Sequence, residues 1–256
     1  MQRFTVEQAP RTAPLARSAA ALIVAAAVLA AGCASGPLLD RAVRARGGPL
    51  QSFVRVAEAD VQAGFPGTWR WRMAFLAPDR YAWSIVTTAG VDHYLFDGRA
   101  VRAIVGGRAV ATDTAASSPL RTQAAFVAVT NLDTARAAGT ATPLAPSELP
   151  PGVTTGVSVV MPPSGARYRL GFDDRLLLVW ATGPFDVPQV GLAELTARYD
   201  DYRRVGGLWL PFRAVYEVGP RRLAVEQTLR LCTNDPRLTP ASFEDAAALP
   251  AFCGEP

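Results

Sequence analysis

The sequence contains no lysine, so all 26 of its cationic side chains are arginine. It has one histidine, His93, and three cysteines, Cys33, Cys232 and Cys253, among 256 residues. These shortages exclude whole classes of chemistry. Without lysine there is neither a Schiff-base amine nor a phosphate loop of the kind whose lysine reaches the terminal phosphates. One histidine and three scattered cysteines leave little from which to assemble a zinc site, and no metal or cofactor is expected. Charge is scarce too. At 19% charged and 50% hydrophobic the chain is too apolar to be disordered. The formal +4 is spread over dispersed arginines, without the basic cluster that nucleic-acid recognition needs.

What the chain does have begins with its first segment. Arg3, Arg11 and Arg17 precede a small-apolar run, Ser18 to Ala31. At about 14 residues this run is short for a ~30 Å hydrocarbon core, and it fits the apolar region of a secretory signal behind a positive start. It leads into Leu29-Ala30-Ala31-Gly32-Cys33-Ala34-Ser35, which resembles the lipobox of bacterial lipoproteins. The resemblance implies removal of residues 1–32, acylation (palmitate among the chains) of Cys33, and a short tether, 33–37. Ala34, where an aspartate would favour retention, implies the outer membrane, with the domain on the periplasmic face. The alternative is an ordinary secretory signal followed by a chance cysteine. Two or more acyl chains anchor stably where one does not. A tether of about five residues reaches about 16 Å at most, so the domain stays close to its membrane.

Cys232 and Cys253 then remain as an even pair in an oxidising compartment, which reads as a disulfide. Closing a loop of about 20 residues contributes roughly 3 kcal/mol in the chain-entropy model. The bridge would staple the C-terminal tail, 233–256, to the last strand; two free thiols are the alternative.

Residues 38–256 read as one domain. A helix opens it, with Pro37 at its start and Gly47-Gly48 past its end. From Ser52 the apolar period is two: Trp69, Trp71, Met73 and Phe75 alternate with polar or small neighbours, then Tyr81, Trp83 and Ile85 do the same. Asp97-Gly98 marks a hairpin. A helical insertion is expected over about 119–138, then a long surface loop over 140–156, then six more strands. Along the last of these Leu223, Val225, Leu229 and Leu231 are read as one alternating set. The turns are too short for parallel crossovers. The fold class expected is therefore α+β, a curved antiparallel sheet of about 11–12 strands. It forms an unclosed half-barrel, with helices covering its concave face.

This order resembles the LolA/LolB-like lipoprotein carrier and receptor superfamily. The resemblance rests on Arg46-Gly47-Gly48, Ala77-Pro78-Asp79-Arg80, Phe96-Asp97-Gly98 and Tyr199-Asp200-Asp201-Tyr202, followed by Val205-Gly206-Gly207-Leu208-Trp209-Leu210-Pro211. It implies a half-barrel whose cavity accepts lipoprotein acyl chains, and a role in outer-membrane lipoprotein sorting or localisation without covalent catalysis. Exposing a 16-carbon chain to water costs roughly 13 kcal/mol at ~0.8 kcal/mol per CH₂, so a carrier must offer an apolar cavity. Trp69, Trp71, Met73, Phe75, Tyr81, Trp83 and Ile85 are its candidate lining. The competing expectation is that these residues fill an ordinary core, in a structural or protein-binding lipoprotein.

A third reading is a hydrolase using His93. Alternation places His93 with Val91 and Leu95 and turns the adjacent Asp92 to the other face, which argues against a triad. Asp173-Asp174 and Asp200-Asp201 read as turn and strand-end carboxylates.

Overall fold

The structure, a computed structural model, describes residues 38–62, 66–88, 90–112, 114–137, 140–187 and 191–249. The leader, Cys33 with its tether, and Cys253 lie outside them. A helix over 38–46 (α1) is followed by six strands: β1 (Ser52–Val61), β2 (Gly67–Leu76), β3 (Arg80–Thr87), β4 (Gly90–Phe96), β5 (Val101–Val105) and β6 (Arg108–Val110). Two helices come next, α2 (Thr114–Thr130) and α3 (Asp133–Ala137). Seven strands complete the sheet: β7 (Ala141–Pro143), β8 (Thr155–Met161), β9 (Ala166–Phe172), β10 (Leu178–Val187), β11 (Gly191–Val205), β12 (Leu208–Val218) and β13 (Arg221–Thr233).

All thirteen strands belong to one antiparallel sheet, in the order β6-β5-β4-β3-β2-β1-β13-β12-β11-β10-β9-β8-β7. The chain starts at the centre, walks out to β6, passes through the helices to the opposite edge at β7, and walks back. Its two halves are sewn together where β1 pairs with β13. The edges β6 and β7 do not pair with each other, so the sheet is unclosed.

Alternation sorts the side chains onto two faces. One face, here called inner, carries the helices. Leu120, Ala124 and Ala128 of α2 pack with Met73, Phe75 and Tyr81, and its Phe126 and Val129 pack with Val157, Leu170 and Leu195. Thus α2 touches β10 on one half of the sheet and β4 and β5 on the other. On the outer face the C-terminal segment forms two 3-10 turns, Pro240–Phe243 and Ala246–Ala248. Its Leu238, Phe243 and Leu249 bury against Val54, Ala74, Ala82 and Leu95. No helix of the described residues is long and apolar enough to cross a membrane.

Three expectations need correction. The described residues hold 13 strands, because residues 140–156 are not one loop but contain the short edge strand β7 and a 3-10 turn, Pro146–Glu148. An edge position tolerates Pro143, which cannot donate to a ladder. The helical insertion begins at Thr114, ahead of Pro119, and breaks at Leu132 (φ 66°). Finally, the apolar set of β13 does not share one face. Bulges near Leu223 and Leu229 shift its phase, leaving Leu229 exposed while Leu231 stands opposite Arg55.

The short motifs meet in space. Gly47 (φ +111°) lies against the Gly206-Gly207 turn, where a Cβ would stand 2.4 Å from the Gly207 carbonyl oxygen. Gly98 (φ +93°) lies against Asp79, where a Cβ would stand 2.9 Å from Oδ1. Only glycine meets both demands, backbone region and close approach. Beside the first contact, Arg46 and Asp133 form a buried ion pair at 2.5 Å, and Asp133 also accepts the Leu50 N–H at 2.9 Å. Arg46 donates to the Asn131 carbonyl, fastening α1 and the start of β1 to the α2–α3 joint.

Gly47→Ala should therefore lower unfolding free energy by more than about 2 kcal/mol, combining backbone strain with overlap. Gly48→Ala (φ +128°), which meets nothing within 4 Å, should cost only the backbone share, about 1 kcal/mol. Urea midpoints of the two variants check this; equal losses would contradict the packing account.

Candidate functional site

The inner face is built in rows across neighbouring strands. Arg55, Met73, Trp83 and Tyr94 stand opposite one another from β1 to β4, and Ala57, Trp71 and Ile85 form the next row. Beneath α2, between these rows and β10–β11, lies a cavity of about 280 Å³. Trp69, Trp71, Met73, Trp83 and Ile85 line it from one half of the sheet, and Phe185, Val187 and Leu195 from the other. Gln123, Phe126 and Val127 of α2 form its roof. A smaller hollow of about 120 Å³ shares Arg55, Phe126, Val127 and Tyr216 with it and continues toward Tyr202 and Trp209.

Five of the seven residues expected at a cavity are thus brought together around one. Phe75 and Tyr81 are not among them. They are fully buried in the core, Phe75 stacked on Phe53 at 5.6 Å, because Leu120 and Ala124 of α2 press directly onto that row. The sequence reading missed the contribution of β10 and β11, and it missed a buried charged pair in the cavity wall.

That feature is Arg55 with Glu226. Both point inward from the seam strands β1 and β13, 2.9 Å apart, and both line the cavity. The Trp71 indole N–H donates to Glu226 Oε2 at 3.0 Å. Burial pushes the Glu226 carboxyl up, against the pull of Arg55 and the Trp71 N–H. Burial also works against the Arg55 charge, yet Glu226 and the surrounding tyrosines outweigh it and hold the guanidinium above its ordinary value. Two donors here, Arg55 Nε and Trp83 Nε1, are buried without a hydrogen-bond acceptor. The signal was present in sequence: Arg55 is in phase with Phe53 and Ala57, and Glu226 with Ala224, so each is a charge on an apolar stripe.

His93 lies on the outer face opposite Ser84, with Ser84 Oγ 2.9 Å from its Nδ1. Ser84 was not singled out from sequence; the pairing of Thr87 with Gly90 sets that register. Burial, with Arg72 nearby, holds the imidazole below its ordinary value, against Asp92. Asp92 sits on the inner face and accepts the Gly106 N–H at 3.0 Å, so it does not orient the ring. Asp173 caps its own turn by accepting from Arg175 and Leu177. Asp200 and Asp201 pair with Arg213 and Arg203. Among the described residues no cluster of three His, Cys, Asp or Glu is placed to hold a metal.

With this geometry in view, the comparisons are informative on fold. A solved structure of a LolA superfamily protein from Nitrosomonas europaea superposes with a TM-score of 0.55 at 16% identity, covering 82% of this chain and 97% of that one. The chain has a LolA-like fold. A DUF1329 family protein from Desulfovibrio piger aligns at a TM-score of 0.48 and 16% identity, covering 83% of this chain and 98% of that one. An outer membrane lipoprotein-sorting protein domain from Vibrio parahaemolyticus aligns at 0.48 and 10%, covering 82% and 97%. No family model matches the sequence, and no curated protein matches it.

The buried pair yields a stability prediction. Glu226→Ala should cost about 3–5 kcal/mol by stranding Arg55 in the core, whereas Arg55→Met combined with Glu226→Leu should restore most of that loss. Denaturant unfolding of the single and double variants decides. A single variant as stable as the parent would mean that Arg55 reaches water without its partner.

Proposed function

We propose that this LolA-like protein is a membrane-anchored, non-enzymatic lipoprotein that binds acyl chains in the cavity under α2. The observation that carries the proposal is the cavity itself. It is walled by tryptophan, methionine and aliphatic side chains and roofed by a helix spanning both halves of an open sheet. Its volume of about 280 Å³ falls just below the ~300–1,000 Å³ usual for ligand sites. In this reading the sheet is a half-barrel, the helices are its lid, and Phe75 and Tyr81 are the packed floor on which the lid rests. The lipobox-like Leu29-Ala30-Ala31-Gly32-Cys33 supports lipid attachment at Cys33 and an outer-membrane, periplasm-facing location. The sorting function named for the Vibrio parahaemolyticus domain enters as a proposal for this chain: handling the acyl chains of lipoproteins near the membrane.

The Cys232–Cys253 bridge belongs to the same proposal. Cys232 stands opposite Val54 on the outer face, the face against which the tail residues Leu238, Phe243 and Leu249 pack, which supports a bridge from there to the tail. Of the two other cysteines, the lipid takes Cys33, which leaves Cys253 as its partner.

A second reading, an interaction protein, has one observation in its favour. Strand β6 ends the sheet with every residue exposed, and Val105 and Val110 add apolar surface there.

Native mass spectrometry of the delipidated chain with added long-chain lipid should show bound adducts. Ala224→Phe, which places a ring where Ala224 lines the cavity, should weaken them about tenfold or more. A chain that stays empty under all lipid concentrations would sink the carrier reading and leave the interaction reading.

A further inference from the structure

The flank formed by α1 and α3 carries a charge that is not balanced within the fold. It holds two acids, Asp40 and Asp133, against four arginines, Arg41, Arg44, Arg46 and Arg136. Both acids are taken. Asp133 pairs with Arg46 at 2.5 Å and with Arg136 at 3.4 Å, and Asp40 pairs with Arg136 at 3.4 Å. The residual 4 − 2 = +2 is therefore Arg41 and Arg44, which pair with no carboxylate among the described residues. Packing fixes where these two stand. Leu39, Ala42 and Val43 bury one side of α1 in the core, and Arg41 and Arg44 are its exposed members. Three residues apart, they share the outward face of the helix and repel each other. Their charge is open to an external anion.

Which anion meets them follows from the chain ahead of α1. The segment Ala34-Ser35-Gly36-Pro37 is uncharged, and from Cys33 to the helix it reaches about 16 Å at most. Arg41 lies three residues into α1, a further ~4.5 Å along its axis, and Arg44 lies ~9 Å along it. A lipid on Cys33 thus keeps both positions within about 25 Å of the acyl attachment. The anions concentrated there are lipid headgroups. An anionic headgroup layer favours each arginine at its surface about fivefold, so two favour contact about 30-fold. We propose that the Arg41–Arg44 face of α1 is a docking surface for anionic phospholipid headgroups, and that it sets how the anchored domain lies on its membrane. The contact passes to the whole domain because Arg46 fastens α1 to Asp133 and to the Asn131 carbonyl at the α2–α3 joint. The domain then rests on its α1–α3 flank instead of swinging on its tether. This inference is independent of acyl binding in the cavity and rests on the reading of lipid attachment at Cys33.

The test uses the full chain as bacteria process it, with intact mass first reporting whether Cys33 carries lipid. A fluorophore on Ala45→Cys, next to Arg44 and half-buried, is read in phosphatidylcholine vesicles with or without phosphatidylglycerol. A nitroxide on a fraction of the headgroups quenches the fluorophore at short range, and the chain without the substitution serves as the blank. Phosphatidylglycerol should raise quenching severalfold, and about 0.5 M salt should abolish that gain, because screening then acts within a few ångströms. Arg41→Gln combined with Arg44→Gln should lose the gain while the chain stays anchored and as stable as its parent. Arg41→Lys combined with Arg44→Lys should keep it. Equal quenching with and without phosphatidylglycerol, or an undiminished gain in the glutamine variant, would overturn the docking surface while leaving the anchor intact. A chain without lipid on Cys33 would overturn the anchoring reading and this inference with it.

Discussion

An open antiparallel sheet with one continuous apolar face has to cover that face, and the described residues hold three helices to do it. The two edge strands, β6 and β7, lie at opposite ends of the sheet, so the connection between them must travel the full width of the face. That connection is α2 and α3. Its packing on β10 at one side and on β4 and β5 at the other is thus a consequence of strand order. One helix cannot contact every row beneath it. Where α2 meets Phe75 and Tyr81 the core is dry and closed; where it passes over Trp71, Trp83 and Leu195 a hollow remains. The hollow arises from the mismatch between a wide sheet and a narrow helix packed on it.

The remaining features hold that arrangement in register. The Arg46–Asp133 pair fastens α1 and the α2–α3 joint at one end of the face. Burial lowers the Arg46 pKa from its ordinary value, against the bond from Asp133, so the latch is a costly one retained for position. On the far side the tail presses Phe243 into the outer face and covers the seam strand β1 where it carries Val54. The Arg55–Glu226 pair crosses that same seam from the inside. The seam between first and last strands, the longest-range pairing in the chain, is therefore held on both faces by side chains as well as by its ladder.

Much of this was legible in the residues. Period-two alternation from Trp69 to Ile85 identified the inner face correctly, because tryptophan and methionine there alternate with arginine and alanine. The Gly-Gly and Asp-Gly pairs marked turns, but their mutual contacts, Gly47 with Gly207 and Gly98 with Asp79, join points far apart in the chain and leave no local trace. Bulges were invisible for a related reason: the apolar pattern of β13 continues through Leu229 while the backbone does not. Which aromatic residues face the hollow and which are packed solid depends on where α2 crosses, and no strand pattern contains that. Arg55 and Glu226 could have been found as charges on an apolar stripe, though only the seam pairing reveals them as partners.

The central claim is that an acyl chain enters the space beneath α2. The five tryptophans make this directly observable, since each gives one indole N–H signal and only three line the larger cavity. A spin label placed at the end of a fatty-acyl ester broadens the signals near it in an NMR spectrum of indole-¹⁵N-labelled protein. The account predicts strong broadening of Trp69, Trp71 and Trp83, with Trp180 on the opposite face spared. Broadening confined to Trp180 and the exposed Trp209, or no broadening at all, would contradict it.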